Sequence, residues 1–157
     1  MSEVLRGAEL SRSALLDAIP QREPFRFVDE ILDVDDEHIV ATHRFLSDAP
    51  FYRGHFPGRP ITPGVLLLEA MAQAAVVAHG IWLLAKQNGL DDIGKRITLF
   101  TDASVEFRSI VEPGERVVVT GRKRFFRRSV LRSDVELRGE DGRLACVGLL
   151  SGMGAAR

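Results

Sequence analysis

Residues 54–73, GHFPGRPITPGVLLLEAMAQ, decide how the rest of the chain must be arranged. The first half carries Pro57, Pro60 and Pro63. Each proline lacks an amide hydrogen and pushes the residue before it towards extended geometry. No helix is therefore expected before Pro63, which itself suits a first helical turn. From Val65 to about Lys86 there is no proline and one glycine, and the residues are mostly Leu, Ala, Val and Met. Such a helix is apolar nearly all round and must be buried on all sides. A membrane span, which needs about 20 apolar residues, competes on length. Glu69, Gln73 and His79 interrupt the run, however, and no other apolar stretch approaches it. The remaining sequence reads as β-structure that wraps around one core helix.

The same stretch carries the chemistry. Glu69 and Gln73 are four apart, so they share a helix face one turn from each other. A carboxyl buried there would hold its proton more tightly and suit a general acid. A glutamate paired with an arginine at an interface fits the residue types equally well, and both readings stand at this point. His55 lies just ahead of the helix, whose first amides, at Gly64 and Val65, lack intrahelical partners and suit an oxyanion. Gly64 has no side chain to keep a ligand away from the backbone. A lone histidine before a phenylalanine is more often structural than catalytic. Joined to Glu69 and a helix start, it reads as a base beside an acid and an oxyanion site.

Residues 54–73 resemble the signature of the (3R)-hydroxyacyl-acyl-carrier-protein dehydratases of bacterial fatty acid synthesis. The flanking stretches IPQREPFRFVDEI and VEFRSIVEPGERV are similar to that family's amino-terminal segment and later strand–turn–strand. The match runs over residues 14–150. It implies an α+β hot-dog fold, an antiparallel sheet wrapped around a long central helix. It also implies dehydration of a 3-hydroxyacyl chain on acyl carrier protein to the trans-2-enoyl thioester. His55 aligns with the family's catalytic histidine and Glu69 with its carboxylate. Gly64 aligns with the glycine whose N–H polarises the thioester, while Val65 adds helix-dipole support and Gln73 orients Glu69 or water. Each site in the family draws its histidine and carboxylate from different subunits, so a homodimer is implied, with a hexamer of three dimers as an open alternative. Neither cofactor nor metal is implied. Phe51, Phe56 and Trp82 are weaker candidates for an acyl tunnel.

Three positions depart from the family pattern: Gln21 stands for a usual histidine, Glu23 for an aromatic and Thr62 for a common methionine. They leave the reaction intact and open the question of chain length. A glutamate rather than an aspartate at position 69 leans towards simple dehydration without coupled isomerisation. A hot-dog acyl thioesterase and a non-catalytic acyl- or carrier-binding protein are the alternatives.

A length of 157 residues suits one domain, with residues 1–10 as a loosely held extension. Apolar residues make up 45% and charged residues 27%, an ordinary globular composition. The net charge of −1 exerts no pull towards nucleic acid or an anionic membrane. One cysteine, Cys146, excludes an internal disulfide and a cysteine zinc cluster, and its setting LACVGLL reads as core. The opening MSEVLRGAEL lacks the apolar stretch of a signal peptide, so a cytoplasmic protein is expected.

Ser13 is expected to cap a helix over 14–19 that Pro20 ends. Strands are expected over 25–34, 38–46, 97–107, 116–125, 127–138 and 143–151, joined by short turns. Asn88-Gly89 stops the long helix. His38 and His43 read as strand residues and His79 as packing; none has metal-ligand spacing. The run RKRFFRR at 122–128 interleaves basic and aromatic residues. It fits a solvated hairpin tip, a nucleic-acid patch, or, given the family, a dock for an acidic carrier, with Arg59, Arg108, Arg127 and Arg128 as its charges.

Overall fold

The computed structural model describes residues 10–157. A short helix α1 (Arg12–Ala18) precedes the hairpin of β1 (Glu30–Val34) and β2 (His38–Arg44). The cap of α1 is Ser11, not Ser13: its hydroxyl accepts from the Ala14 N–H at 3.0 Å, so the helix starts earlier than expected. The expected extension falls almost wholly on residues 1–9, outside the described residues, and Leu10 packs against the core.

The apolar stretch forms one helix, α2 (Gly64–Asn88), begun at Pro63 and ended at Gly89. Its middle, Gln73–Ala78, is wound as a π-helix, which no residue pattern announced. By length and composition α2 would span a bilayer, but most of it is buried within the protein's own sheet. That burial is the destination of its apolar surface, at roughly 1.5–3 kcal/mol for each large side chain.

Four longer strands follow: β3 (Arg96–Phe107), β4 (Arg116–Arg127), β5 (Val130–Arg138) and β6 (Leu144–Ala156). All six strands form one antiparallel sheet in the order β1-β2-β4-β5-β6-β3. The sheet curls around α2 closely. A Cβ placed on Gly121 of β4 would lie 2.6 Å from Ala75 Cβ, so the sheet and the π-wound turn meet there only because position 121 has no side chain.

Three expected strand boundaries move by more than two residues. The first strand begins at Glu30 instead of residue 25: the Phe25 carbonyl and the Phe27 N–H pair with the Gln73 side chain, and the Asp29 N–H, donating to the Thr42 carbonyl of β2 at 2.7 Å, leads into the ladder. The β4–β5 turn falls at Arg128 and Ser129, whose φ values of 52° and 61° make the tight turn that suits twisted strands. The last strand runs on to Ala156, where it pairs with Arg96 at the start of β3.

The register gives the sheet two distinct ends. Phe107, Arg116, Arg138 and Leu144 lie at one, beside Gly64 at the start of α2. The β4–β5 turn, Met153 and Arg96 lie at the other, where Gly154 approaches Leu84 late in α2.

Candidate active site

The loop ahead of α2 is built to present His55. It starts in a 3-10 turn, Pro50–Arg53, whose Phe51 carbonyl accepts from the His55 N–H at 3.1 Å. Phe56 and Arg59 then exchange backbone hydrogen bonds of 3.1 and 3.0 Å, and the Ile61 N–H returns to the His55 carbonyl at 2.9 Å. The prolines of this stretch have no amide to place in that network, which is why it stays irregular.

The imidazole is oriented. Nδ1 lies 3.1 Å from the Ile61 carbonyl oxygen. A carbonyl only accepts, so Nδ1 carries the hydrogen, and the neutral ring keeps its lone pair on Nε2. That is the tautomer a base needs. Phe56 stacks on the ring at 4.3 Å between centroids and is itself half exposed.

At the start of α2 the Leu66 and Leu67 amides both donate to the Pro63 carbonyl, at 2.9 and 3.2 Å. The Gly64 and Val65 amides precede them, and no side chain caps this end. The Phe107 ring lies over Gly64 so closely that a Cβ there would stand 3.0 Å from Cε1. The Val65 side chain is 72% exposed.

One turn further on, Glu69 is half-buried, and its Oε1 accepts from Gln73 Nε2 at 3.0 Å. Among the described residues its hydrogen-bond partner is this amide. Gln73 is fully buried. Its Oε1 accepts from the Phe27 N–H at 2.7 Å, and its Nε2 also donates to the Phe25 carbonyl at 2.9 Å. The amide has no freedom to flip, so the donor facing Glu69 is fixed. The role of 25–29 in holding it left no mark in the sequence, because backbone groups do the recognition.

Residues 19–143 match the family model described as the FabA-like domain. The chain belongs to the FabA-like family. The FabA-like chain is 39% identical over 135 residues to the 3-hydroxyacyl-[acyl-carrier-protein] dehydratase FabZ of Streptococcus pyogenes serotype M1, covering 85% of this chain and 91% of that one. It is 38% identical over 136 residues to the enzyme of the same name from Streptococcus uberis, covering 86% and 91%. Among solved structures, the dehydratase heterocomplex ApeI:P of Xenorhabdus doucetiae aligns with a TM-score of 0.72 at 16% identity, over 90% of this chain and 91% of that one. A thioesterase from Haemophilus influenzae aligns at 0.66 and 16%, over 97% and 95%. These likenesses establish the hot-dog fold of the FabA-like chain.

The other candidates of this FabA-like chain are scattered. Phe51 is half-buried against Tyr52, at 4.6 Å between centroids. Trp82 is buried beneath Lys86 near the far end of α2, about 25 Å along the helix from Gly64. It lines a cleft with Arg12, Asp33 and Asp36 rather than the His55 site. Arg59 is engaged bidentately by Glu112 (3.0 and 2.9 Å) and Arg108 by Glu106 (2.6 Å), so neither is a free charge. Arg127 lies over the Phe125 ring, and Arg127 and Arg128 are exposed at the β4–β5 turn, the opposite end of the same sheet from Gly64.

Three histidines serve the fold. His38 bridges Asp33 and Asp35, first the former, and these hydrogen bonds raise its pKa. His43 pairs with Asp29 at 2.9 Å. His79 is fully buried, donates from Nε2 to the Asp35 carbonyl at 2.8 Å, and has its pKa lowered by burial. Burial likewise pushes the Cys146 thiol up to about 11, so it stays an unreactive core group.

Proposed function

We propose that the chain, as one hot-dog domain, removes water from (3R)-3-hydroxyacyl groups carried on acyl carrier protein and releases the trans-2-enoyl thioester. His55 Nε2 takes the C2 proton, which the thioester carbonyl has made acidic. The C2–H electron pair becomes the new double bond as the C3–O bond breaks. Glu69 delivers a proton to the departing oxygen, which leaves as water. The Gly64 N–H, backed by Val65 and the helix start, holds the thioester oxygen as charge develops on it. Gln73 orients the Glu69 carboxyl. The observation that carries this reading is the His55 hydrogen bond to Ile61, which leaves Nε2 as the acceptor.

The working unit is a homodimer. In support, β3 is a 12-residue open edge on which Leu99 to Ser104 are exposed, Leu99 and Phe100 at 46% and 47%. A long exposed edge with apolar side chains calls for a partner, whereas β1, at the other edge, is short and packs against α1. Two copies joined by a two-fold axis pair their β3 strands antiparallel. The Phe107 end of one then runs beside the β4–β5 end of the other. Arg127 and Arg128 of one copy thereby flank the site of its neighbour, which suits them to an acidic carrier. The reaction is placed in the cytoplasm.

A thioesterase shares the fold but would cleave the thioester. Following enoyl absorbance and free thiol together with a 3-hydroxyacyl thioester separates the two. Enoyl formation without thiol release is the expected result, and thiol release without enoyl formation overturns it.

A further inference from the structure

The peptide beneath the His55 imidazole is held from three sides. Its carbonyl, that of Ile61, faces Nδ1 at 3.1 Å. Its N–H, that of Thr62, donates to the Val111 carbonyl at 2.9 Å. The Thr62 side chain is 4% exposed, and its hydroxyl lies 2.6 Å from that of Tyr52, also 4% exposed. Tyr52 sits in the 3-10 turn that opens the histidine loop, and Thr62 closes it. The hydroxyl pair therefore ties the loop's two ends together around His55.

We infer that Tyr52 and Thr62 are positioning residues for His55, fixing the peptide whose carbonyl selects the Nδ1–H tautomer and so keeps Nε2 free to take a proton. The inference rests on His55 being the base of the dehydration. A neutral imidazole can carry its hydrogen on either nitrogen, and the hydrogen bond at one decides the other. If that peptide turned, the carbonyl would swing from Nδ1 and both tautomers would populate. The same carbonyl stabilises the imidazolium formed when Nε2 is protonated, and donation to Val111 polarises it further. Burial pushes the Tyr52 pKa up, so the phenol stays a neutral partner wherever the histidine titrates. Removing one hydroxyl leaves the other buried without a partner, so the two act as a unit.

The test compares Tyr52→Phe, Thr62→Val, Thr62→Ser, the Tyr52→Phe/Thr62→Val double variant and His55→Ala, using a 3-hydroxyacyl thioester across the histidine titration range. Tyr52→Phe and Thr62→Val are expected to lower kcat about five- to tenfold, the worth of one hydrogen bond, with KM little changed. The acidic limb of kcat/KM should move to lower pH, because the imidazolium has lost support. Thr62→Ser should restore both, and the double variant should lose no more than the singles. Nitrogen-15 shifts of His55 should report the Nδ1–H form in the parent and a mixture in Thr62→Val. Folded Tyr52→Phe and Thr62→Val with the parental limb and tautomer would overturn the inference, and Tyr52→Phe alone decides it if Thr62→Val does not fold. An active His55→Ala overturns the base assignment beneath it; an inactive one beside unaltered hydroxyl variants overturns this inference alone.

Discussion

At the residue scale, the two side chains proposed to divide the proton traffic have supports that differ in kind. His55 is oriented by a backbone carbonyl, Glu69 by an amide that is itself locked by backbone. His55→Ala and Glu69→Gln should each cut turnover by about two to four orders of magnitude, the span typical of positioned acid–base groups. Steady-state kinetics on folded variants checks this; near-parental turnover in Glu69→Gln would remove it as the acid. Gln73→Leu keeps the volume but removes the donor to Glu69 and leaves the Phe27 N–H and Phe25 carbonyl unpaired. We expect a loss of both activity and stability, the latter by about 1–3 kcal/mol for buried groups left without partners. A Gln73→Leu variant with the parental urea midpoint would contradict the buried hydrogen bonds. His55, Gly64, Glu69 and Gln73 were legible in the sequence as candidates, since their spacing along one loop and helix is local. What fixes their orientation was not, because Ile61, Phe25 and Phe27 act through main-chain atoms common to every residue.

At the scale of elements, α2 is where local signals and tertiary demands part company. Its ends were readable from Pro63 and Gly89. Its π-wound middle was not: no local residue pattern marks it, and its fit to the sheet, where Ala75 lies against Gly121, depends on residues far away in sequence. Gly121→Ala forces a methyl against Ala75 Cβ and should destabilise by about 1–3 kcal/mol, the range for overpacking. An unchanged denaturation midpoint would show that strand and helix part more easily than their spacing indicates. His79, at the end of the same segment, gives α2 a pH dependence. Burial depresses its pKa, with the Lys123 charge adding to it, so the unfolded chain takes up a proton that the folded one resists. Stability is thus lost as pH falls below the ordinary histidine value of about 6.5. His38 has the opposite sign: its raised pKa adds stability below that value and loses it as pH rises. In His79→Gln, where an amide can still donate to the Asp35 carbonyl, stability should decline less between neutral and mildly acid pH than in the parent. Parallel curves for the two proteins would mean that His79 does not titrate on unfolding.

At the scale of the whole molecule, the sheet order leaves β3 uncovered while every other long strand has two neighbours. A strand over 97–107 was expected but its edge position was not, because edge position depends on pairings far away in sequence. The consequence of the proposed dimer for catalysis is testable in solution. If each site takes His55 from one copy and Glu69 from the other, neither His55→Ala nor Glu69→Gln alone has a complete site. A mixed dimer of the two has one site with both defects and one with none. Co-refolding them in equal amounts should return about one quarter of parental activity, since half the dimers are mixed and each has one good site of two. Adding Leu99→Lys and Phe100→Lys to both chains, which places charge on the exposed edge, should abolish that recovery and leave monomers by sedimentation. Recovery absent from a verified mixed dimer would mean that histidine and glutamate serve within one chain, and the antiparallel β3 pairing would lose its catalytic role.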